Sequence, residues 1–278
     1  MTKTEEPPFI PPLLESGTID SAFLSALRDH VLKAGDAIMR IYGTDFEVAL
    51  KEDRSPVTGA DTLAEAILLE GLAELSPAIP VIAEESFAAG ARPPSEAPEL
   101  FWLVDALDGT REFVSRNGEF TVNVGLIHQG RPVFGMVYCP AMDLLYWGAP
   151  GGGAFLQSRQ STREISCRVP PEAGVTILAS RRHGDEFQTT LFLDTFLKGR
   201  PVARQISAGS SLKFCRIAEG LADVYPRLGP TSEWDTAAAH AIVRAAGGNV
   251  TTLEGEPFLY GKAPYYRNPY FVAFGSGW

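Results

Sequence analysis

The stretch WLVDALDGTREF, residues 102–113, joins an apolar run to two acids that lie three residues apart. The run Leu100–Val104 predicts a short buried strand, and Asp105 is its first polar residue. Gly109 follows Asp108 directly, so the chain can curl and direct both carboxylates at one point. Carboxylates at the end of a buried strand suit Mg²⁺, which takes oxygen ligands in octahedral geometry. A DxxD pair alone is usually a solvated turn, so its surroundings decide its meaning.

Further acids occur at comparable positions along the chain. The apolar stretch Pro80–Ala83 runs directly into Glu84 and Glu85. Upstream, Thr58 has the position of a helix N-cap with Asp61 three residues on, a variant of the capping box. Asp235 stands just before an Ala-rich helical stretch, where by itself an acid is most simply an N-cap.

The pattern of apolar residues predicts two regions of different organisation. The first half shows helices and then a run of hairpins, typical of α+β, and the second alternates strands with helices, typical of α/β. We therefore expect a flexible N-terminal arm at residues 1–16, a metal-binding domain at 17–170 and a domain that completes the substrate site at 171–278. The predicted helices are Asp20–Tyr42, Gly59–Leu75, Phe187–Phe196, Leu212–Ala218 and Thr236–Ala246. The predicted strands are Pro80–Ala83, Leu100–Val104, Phe120–Ile127, Pro132–Tyr138, Leu144–Trp147, Ala154–Leu156, Val175–Ser180, Ala222–Tyr225 and Phe271–Phe274, with one more near Asn249.

Composition excludes several classes of protein. The 278 residues include 24 Lys plus Arg and 34 Asp plus Glu, a net charge of −10, which argues against nucleic-acid or anionic-membrane binding. Cys139, Cys167 and Cys215 lack metal-ligand spacing and predict small buried apolar residues in a reduced, intracellular protein. His240 is interpreted as a packed histidine. The N-terminus is not typical of a secretory signal, and no apolar stretch is long enough to cross a membrane.

Taken together, the motifs resemble the inositol monophosphatase superfamily of Mg²⁺-dependent phosphatases. Within it the chain is most similar to the CysQ-type 3′(2′),5′-bisphosphate nucleotidases, over about residue 20 to the end. This resemblance implies a layered α/β/α/β/α fold of mixed α/β (α+β) class. The matching phrases are KEDRSPVTGAD (51–61), VIAEES (81–86), WLVDALDGTREF (102–113), NGEFTVN (117–123), GSSLKFCRIAEGLADVYPRLGPTSEWDTAAAHAI (209–242) and RNPYF (267–271).

The resemblance assigns the acids to metal ions. It implies that Glu84, Asp105 and the carbonyl of Leu107 hold one Mg²⁺. Asp105, Asp108 and Asp235 would hold a second ion. By the same resemblance, Asp61 and Thr110 orient and deprotonate the attacking water, with a weaker third ion as an option.

The resemblance also assigns the substrate contacts. One set would surround the phosphate that is cleaved: Glu84, Leu107, Asp108, Gly109, Thr110 and Asp235. A second set would hold the 5′-phosphate: His183, Ser210, Lys213 and Arg227. Arg and Lys make charge-assisted bonds to phosphate, and two serines at residues 210–211 can open a helix whose N-terminus favours anions.

The activity implied is Mg²⁺-dependent hydrolysis of the 3′-phosphate of adenosine 3′,5′-bisphosphate to AMP and phosphate, which clears a by-product of sulfate assimilation. 3′-Phosphoadenylyl sulfate is a further candidate substrate. Direct in-line attack by water is expected, because no Ser/His/Asp or Cys/His nucleophile pair is apparent. The resemblance implies a cytoplasmic monomer or homodimer without a nucleic-acid partner, and leaves open a peripheral location at the inner membrane.

Three alternatives stay open at this point. The first is an inositol or other sugar phosphatase on the same metal site. The second is an activity like that of fructose-1,6-bisphosphatase, which the phrases GSSLKFC and YPR disfavour. The third is a catalytically weak regulator that binds Mg²⁺ or nucleotide, which the complete set of acids disfavours.

One position departs from the family pattern, because Ala106 stands where the family usually has proline. Proline would fix φ and stiffen the loop that carries the Leu107 carbonyl. We therefore expect Ala106→Pro to bind Mg²⁺ more tightly, by about 1 kcal/mol at most, without a change in the reaction. Mg²⁺ titrations of both proteins test this, and a lower apparent Mg²⁺ constant for the wild type would contradict it.

Overall fold

The protein is a stack of five alternating layers of helix and sheet. The computed structural model describes residues 20–50, 56–91, 96–159, 161–179 and 186–278. The layers are a helix pair, a seven-stranded sheet, a second helix pair, a five-stranded sheet and one outer helix. This confirms the predicted mixed α/β class and the α/β/α/β/α order. The predicted arm at residues 1–16 lies outside the described residues.

The helices and strands are numbered here in chain order. The helices are α1 (Ser21–Tyr42), α2 (Gly59–Leu75), α3 (Glu84–Ala88), α4 (Thr110–Val114), α5 (Glu186–Phe196), α6 (Leu212–Ala218) and α7 (Ala237–Ala245), with a 3₁₀ turn at Glu233–Asp235. The strands are β1 (Ala49–Leu50), β2 (Pro56–Val57), β3 (Val81–Ala83), β4 (Leu100–Asp108), β5 (Thr121–His128), β6 (Arg131–Cys139), β7 (Leu144–Ala149), β8 (Gly153–Ser158), β9 (Ser161–Ile165), β10 (Val175–Ala179), β11 (Val202–Ser207), β12 (Val224–Arg227), β13 (Asn249–Thr252) and β14 (Phe271–Phe274).

The larger sheet runs β3-β4-β5-β6-β7-β8-β9, with β3 and β4 parallel and the other neighbours antiparallel. Its register is regular along β4 until the end of the strand. There Asp105 pairs with Asn123 and Asp108 pairs with Thr121, so three steps on β4 match two on β5. This extra residue is a β-bulge, which bends the strand where the two acids stand.

The smaller sheet, in the order β11-β10-β12-β14-β13, is built from the second half of the chain. β10 is parallel to both of its neighbours, and the β12-β14-β13 part is antiparallel. The change from one sheet to the other falls between Ile165 and Val175. The domain boundary near residue 170 stays a prediction, because one apolar core joins strands of both sheets through α6 and α7.

Helix α7 packs so closely on the larger sheet that two strand positions require glycine. A Cβ on Gly135 would lie 1.9 Å from the carbonyl oxygen of Ala238, and one on Gly125 would lie 2.7 Å from the Ala238 nitrogen. The helix has alanines and the two strands have glycines at this contact, so the backbone of α7 lies directly against the backbones of β5 and β6. This packing places the N-terminal end of α7 over β5 and β6, beside the bulged end of β4.

The helix predictions succeed where a strong pattern supports them. Helix α2 begins and ends as predicted, and Thr58 caps it in a capping box with Asp61. The prediction missed β9 and β11, which are edge strands with mostly exposed residues and no apolar alternation. It also missed α3 and α4, which have five residues each, too few for a helical period to show.

Several single-residue expectations are met. The three cysteines are free and buried, and His240 is only 2% exposed, in the core between the sheets. Burial lowers the pKa of His240 to about 3, so this histidine is neutral. Within the described ranges, no helix combines the length and apolar character that crossing a membrane requires.

Candidate active site

Three acids from distant parts of the chain meet at one place. Glu84 begins α3, Asp105 lies at the bulge of β4, and Asp235 ends the 3₁₀ turn before α7. Each offers a carboxylate oxygen, and these oxygens lie within 4.8 Å of one another. The parallel pairing of β3 with β4 brings the first two together, and the packing of α7 on the sheet brings the third.

Asp108 adjoins this group from the other side of the bulge. Its Oδ2 accepts a hydrogen bond from the backbone nitrogen of Ser211 at 2.6 Å, and Asp105 Oδ1 accepts one from the nitrogen of Leu107 at 3.0 Å. Backbone donors therefore help to fix both carboxylates. After the bulge, Gly109 has φ of +89°, and a Cβ there would press on Ser210 at 3.2 Å.

Asp235 is held by its own turn. The backbone nitrogen of Ser232 donates to Asp235 Oδ2 at 2.8 Å, and the nitrogen of Asp235 donates to the Ser232 hydroxyl. The sequence position alone suggested an N-cap of the Ala-rich helix, but Thr236 occupies that N-cap, and Asp235 is the third residue of a turn that Ser232 caps. Asp235 also turns one carboxylate oxygen towards Glu84 and Asp105.

Asp61 and Thr110 form a hydrogen-bonded pair on the edge of the acidic group. The Thr110 hydroxyl lies 3.0 Å from Asp61 Oδ1 and 3.4 Å from the carbonyl of Leu107. Asp61 Oδ2 accepts bonds from the nitrogen and the hydroxyl of Thr58, both at 2.8 Å. Asp61 is only 1% exposed, so its orientation is fixed from both sides.

Glu65 is a buried acid beside the site that sequence reasoning missed. Its carboxylate is 3% exposed and accepts bonds from the nitrogens of Glu85 and Ser86, at 2.7 and 2.8 Å, and from the Ser86 hydroxyl. It therefore fixes the chain directly after Glu84. One sign was available in the sequence: Glu65 follows Asp61 by four residues, so both acids lie on the buried side of α2.

The basic residues come from the smaller sheet and its helix α6. Lys213 is 6% exposed, and its Nζ donates to the carbonyl of Ser210 at 2.7 Å and lies 5.2 Å from the centre of the Tyr225 ring. Arg227, at the end of β12, is 9% exposed and donates to the carbonyl of Pro230 at 3.0 Å. Ser210 has φ of +44° and stands at the start of α6, beside Gly109.

A single cleft of about 970 Å³ contains both the acids and the bases. This volume is in the upper range for small-molecule sites. Eleven of the twelve predicted site residues are described. Ten of them line the cleft: Glu84, Asp105, Leu107, Asp108, Gly109, Thr110, Ser210, Lys213, Arg227 and Asp235. The eleventh, Asp61, is bonded to Thr110. His183 lies outside the described residues.

Two distant sequence phrases meet behind this cleft. The hydroxyl of Ser211 donates to Asn123 Oδ1 at 2.6 Å and lies 2.8 Å from the Thr121 hydroxyl. Thr121 also donates to the hydroxyl of Ser210 at 3.1 Å. These bonds join the phrases NGEFTVN and GSSLKFC, and they hold the loop that donates to Asp108. Asn123 and Thr121 are fully buried, so the network is rigid.

The electrostatics favour a bound cation. Burial raises the pKa of Asp108 to about 7, with Lys213 opposing the rise and Glu112 and Glu84 adding to it. Burial, then Asp108 and Glu84, raise the pKa of Asp235 well above its ordinary value. Crowded carboxylates of this kind offer only hard oxygen donors, the set that Mg²⁺ and similar divalent ions take. The residues present therefore fit a metal ion.

Comparison with known proteins agrees with this geometry. Residues 20–269 match the inositol monophosphatase family. The chain belongs to the inositol monophosphatase family. This family is metal-dependent, and the acidic group described above is able to hold a metal ion.

Several members of the family are similar over nearly the whole chain. The 3′(2′),5′-bisphosphate nucleotidase CysQ of Salmonella typhimurium is 44% identical over 246 residues, covering 86% of this chain and 94% of that protein. CysQ of Escherichia coli K12 is 43% identical over the same length and coverage. The crystal structure of CysQ from Bacteroides thetaiotaomicron superposes with a TM-score of 0.76 at 35% identity, covering 96% of this chain and 100% of that one. An inositol monophosphatase from Anabaena reaches 0.70 at 25% identity, covering 92% and 91%.

The raised pKa of Asp108 gives a prediction for the metal-free protein. Its folded pKa of about 7 lies above the ordinary 3.8, so its charge weakens the fold as pH rises from about 4 to 7. We expect Asp108→Asn to stabilise the protein in EDTA, with a gain that grows up to pH 7 and is constant above it. Urea unfolding at several pH values measures this, with the exposed Asp36→Asn as control. A gain independent of pH would contradict the assignment.

The position of Glu65 gives a second prediction. Glu65→Ala removes the acceptor for the Glu85 and Ser86 nitrogens, so Glu84 loses its fixed orientation. We expect the affinity for Mg²⁺, measured by calorimetry, to fall about 10-fold or more, as for other residues that orient metal ligands. Glu70→Ala on the exposed side of the same helix is the matched control. Equal Mg²⁺ affinity in Glu65→Ala and wild type would show that Glu65 does not act on the site.

Proposed function

We propose that this protein is a Mg²⁺-dependent 3′(2′),5′-bisphosphate nucleotidase, which hydrolyses the 3′-phosphate of adenosine 3′,5′-bisphosphate to AMP and phosphate. The observation that carries this is one cleft that holds converging carboxylates together with Lys213 and Arg227. The carboxylates suit a phosphate that binds through metal ions. Lys213 and Arg227 suit another phosphate of the same molecule. Relatives with this activity in their names, at 41–44% identity over most of the chain, support it.

The acids are proposed to hold two Mg²⁺ ions, with a third as an option. Glu84, Asp105 and the Leu107 carbonyl would hold the first, and Asp105, Asp108 and Asp235 the second. Bound there, the ions would lower the pKa of water and neutralise charge on the phosphate. The chain itself keeps the carboxylates in place through backbone donors, so little rearrangement is needed on binding.

Asp61 and Thr110 are proposed to remove the proton from the attacking water. The Thr110 hydroxyl, whose own proton points to Asp61 Oδ1 at 3.0 Å, can accept a proton from water as it passes its own to the carboxylate. Thr58 stabilises Asp61 through two bonds to the other oxygen, which keeps Oδ1 turned to Thr110. Backbone nitrogens of Gly109 and Thr110, at the start of α4, would donate to the phosphate.

The part of the cleft lined by Lys213 and Arg227 is proposed to hold the 5′-phosphate. Lys213 and Arg227 are nearly buried, so their charges act in a medium where water screens them weakly. Ser210 adds a hydroxyl at the start of α6, and His183 is proposed as a fourth contact. An inositol monophosphate has only one phosphate and would make no use of this second set of anion contacts, which disfavours the inositol monophosphatase alternative. Action on 3′-phosphoadenylyl sulfate, a role in sulfate assimilation, a monomeric or homodimeric state and a cytoplasmic or membrane-peripheral location stay proposals of the same kind.

The second candidate function is an inositol or sugar phosphatase on the same metal site. The superposition with the inositol monophosphatase from Anabaena is the observation that favours it. The third candidate, a regulator with little catalysis, is disfavoured by the Asp61–Thr110 pair, which binding alone does not need.

A comparison of substrates tests these candidates. We expect kcat/KM for phosphate release in Mg²⁺ to be at least ~100-fold higher for adenosine 3′,5′-bisphosphate than for inositol 1-phosphate or fructose 1,6-bisphosphate. Asp61→Asn should lower kcat for the nucleotide at least ~100-fold, as loss of a general base does. Preference for either sugar phosphate would favour the second candidate. Phosphate release by Asp108→Asn equal to that of wild type would favour the third.

A further inference from the structure

Two unassigned residues of the cleft stand on one short stretch, residues 261–268, named here the C-terminal segment. Tyr265 and Arg267 both line the cleft from this segment. Arg267 begins the quoted phrase RNPYF, but the motifs assigned no role to either residue. Tyr265 is 73% exposed, the most exposed of the large apolar side chains in the described part of the chain. An exposed aromatic ring at the mouth of a polar cleft is a platform for a flat, apolar ligand group.

The segment is fixed to the turn that carries Asp235. The buried carboxylate of Glu233 accepts bonds from the nitrogens of Gly261 and Lys262, both at 2.8 Å. The nitrogen of Glu233 donates to the carbonyl of Tyr266 at 2.8 Å, and Asn268 donates from Nδ2 to the carbonyl of Ser232 at 2.6 Å. The segment therefore has a fixed position relative to the acidic group rather than that of a loose loop.

One buried residue turns its two neighbours outward. Tyr266 is fully buried, with its ring 6.5 Å from that of Trp234 and 6.1 Å from that of Phe87. Its φ is +50°, an unfavourable conformation for an aromatic residue that persists only where surrounding contacts impose it. With Tyr266 directed into the core in this conformation, the side chains of Tyr265 and Arg267 both reach the cleft.

The positive charge of Arg267 is available to an anionic ligand. Its Nη1 lies 3.3 Å from the Ser232 hydroxyl, a neutral partner, and it makes no ion pair within the described residues. By contrast, Arg163, Arg168 and Arg216 each pair with a carboxylate. Arg227 binds the same loop two residues away, at the carbonyl of Pro230. Two guanidinium groups therefore lie at the two ends of the loop at residues 230–232.

We propose that the C-terminal segment determines substrate specificity: Arg267 binds the phosphate remote from the cleaved one, and Tyr265 stacks on the base. This deepens the proposed function and rests on it. The guanidinium would add a second planar donor to the anion contacts of Lys213 and Arg227. The ring would bury one face of the base without needing to recognise its edges, because every base has a π-face.

The test compares two nucleotides that differ only in the remote phosphate. In Arg267→Met, we expect kcat/KM to fall at least ~10-fold for adenosine 3′,5′-bisphosphate and to stay within about 2-fold for adenosine 3′-phosphate. Arg267→Lys should recover part of the lost kcat/KM, because lysine keeps the positive charge but lacks the planar set of donors of the guanidinium. Arg131→Met, at an exposed position on the hairpin of β5 and β6, is the matched control. Thermal unfolding of each variant checks that the fold is retained.

Tyr265 should give a different pattern on the same substrates. Tyr265→Ala is expected to lower kcat/KM for both nucleotides by the same factor of about 5 or more, and Tyr265→Phe should retain the wild-type value, because stacking needs only the ring. If Arg267→Met lowers kcat/KM equally for both nucleotides, or for neither, the assignment of Arg267 is overturned. If kcat/KM of Tyr265→Phe is as low as that of Tyr265→Ala, the assignment of Tyr265 is overturned. If wild type releases no phosphate from either nucleotide, the proposed function is wrong, and this inference fails with it.

Discussion

The burial of several carboxylates close together in one cleft is the constraint on which the rest of the site depends. Three carboxylate oxygens lie within 4.8 Å of one another, and a fourth acid adjoins them. Burial first, and then the charges of the neighbouring acids, disfavour ionisation here, which is why the pKa values of Asp108 and Asp235 are raised. The acids stay together because backbone N–H groups hold them. The donors are the nitrogens of Thr58 to Asp61, Leu107 to Asp105, Ser211 to Asp108 and Ser232 to Asp235.

The two large sheets supply different kinds of residues to the cleft. The larger sheet and its helix α2 supply Asp61, Glu84, Asp105 and Asp108, and the smaller sheet with α6 supplies Lys213 and Arg227. Asp235 and the C-terminal segment connect the two groups through the turn at residues 232–236. The net charge of −10 is therefore compatible with an anionic substrate, because divalent ions would reverse the charge locally and Lys213 and Arg227 line the same cleft.

Much of the acidic site could be predicted because its residues stand next to local patterns that the sequence displays. Asp105 and Glu84 directly follow apolar runs of the sequence, and Asp61 belongs to a capping box that forms as expected. The strand expected to end at Val104 continues to Asp108. Glu65, Asn123 and Arg267 were missed because their roles depend on contacts with residues 20 or more positions away. No local period encodes such contacts. The segment at residues 261–268 carries no helix or strand signal at all, and only the packing of Tyr266 reveals where its neighbours point.

The central claim is that the acidic group binds an anionic substrate only when divalent ions occupy the group. Calorimetric titration of Asp61→Asn with adenosine 3′,5′-bisphosphate tests this most directly, because the variant retains the acids proposed to hold metal and should hydrolyse the ligand at least ~100-fold more slowly than wild type. In Mg²⁺ we expect binding at least ~10-fold tighter than in EDTA, since the unneutralised carboxylates would repel the phosphate. Undiminished affinity in EDTA would contradict the account.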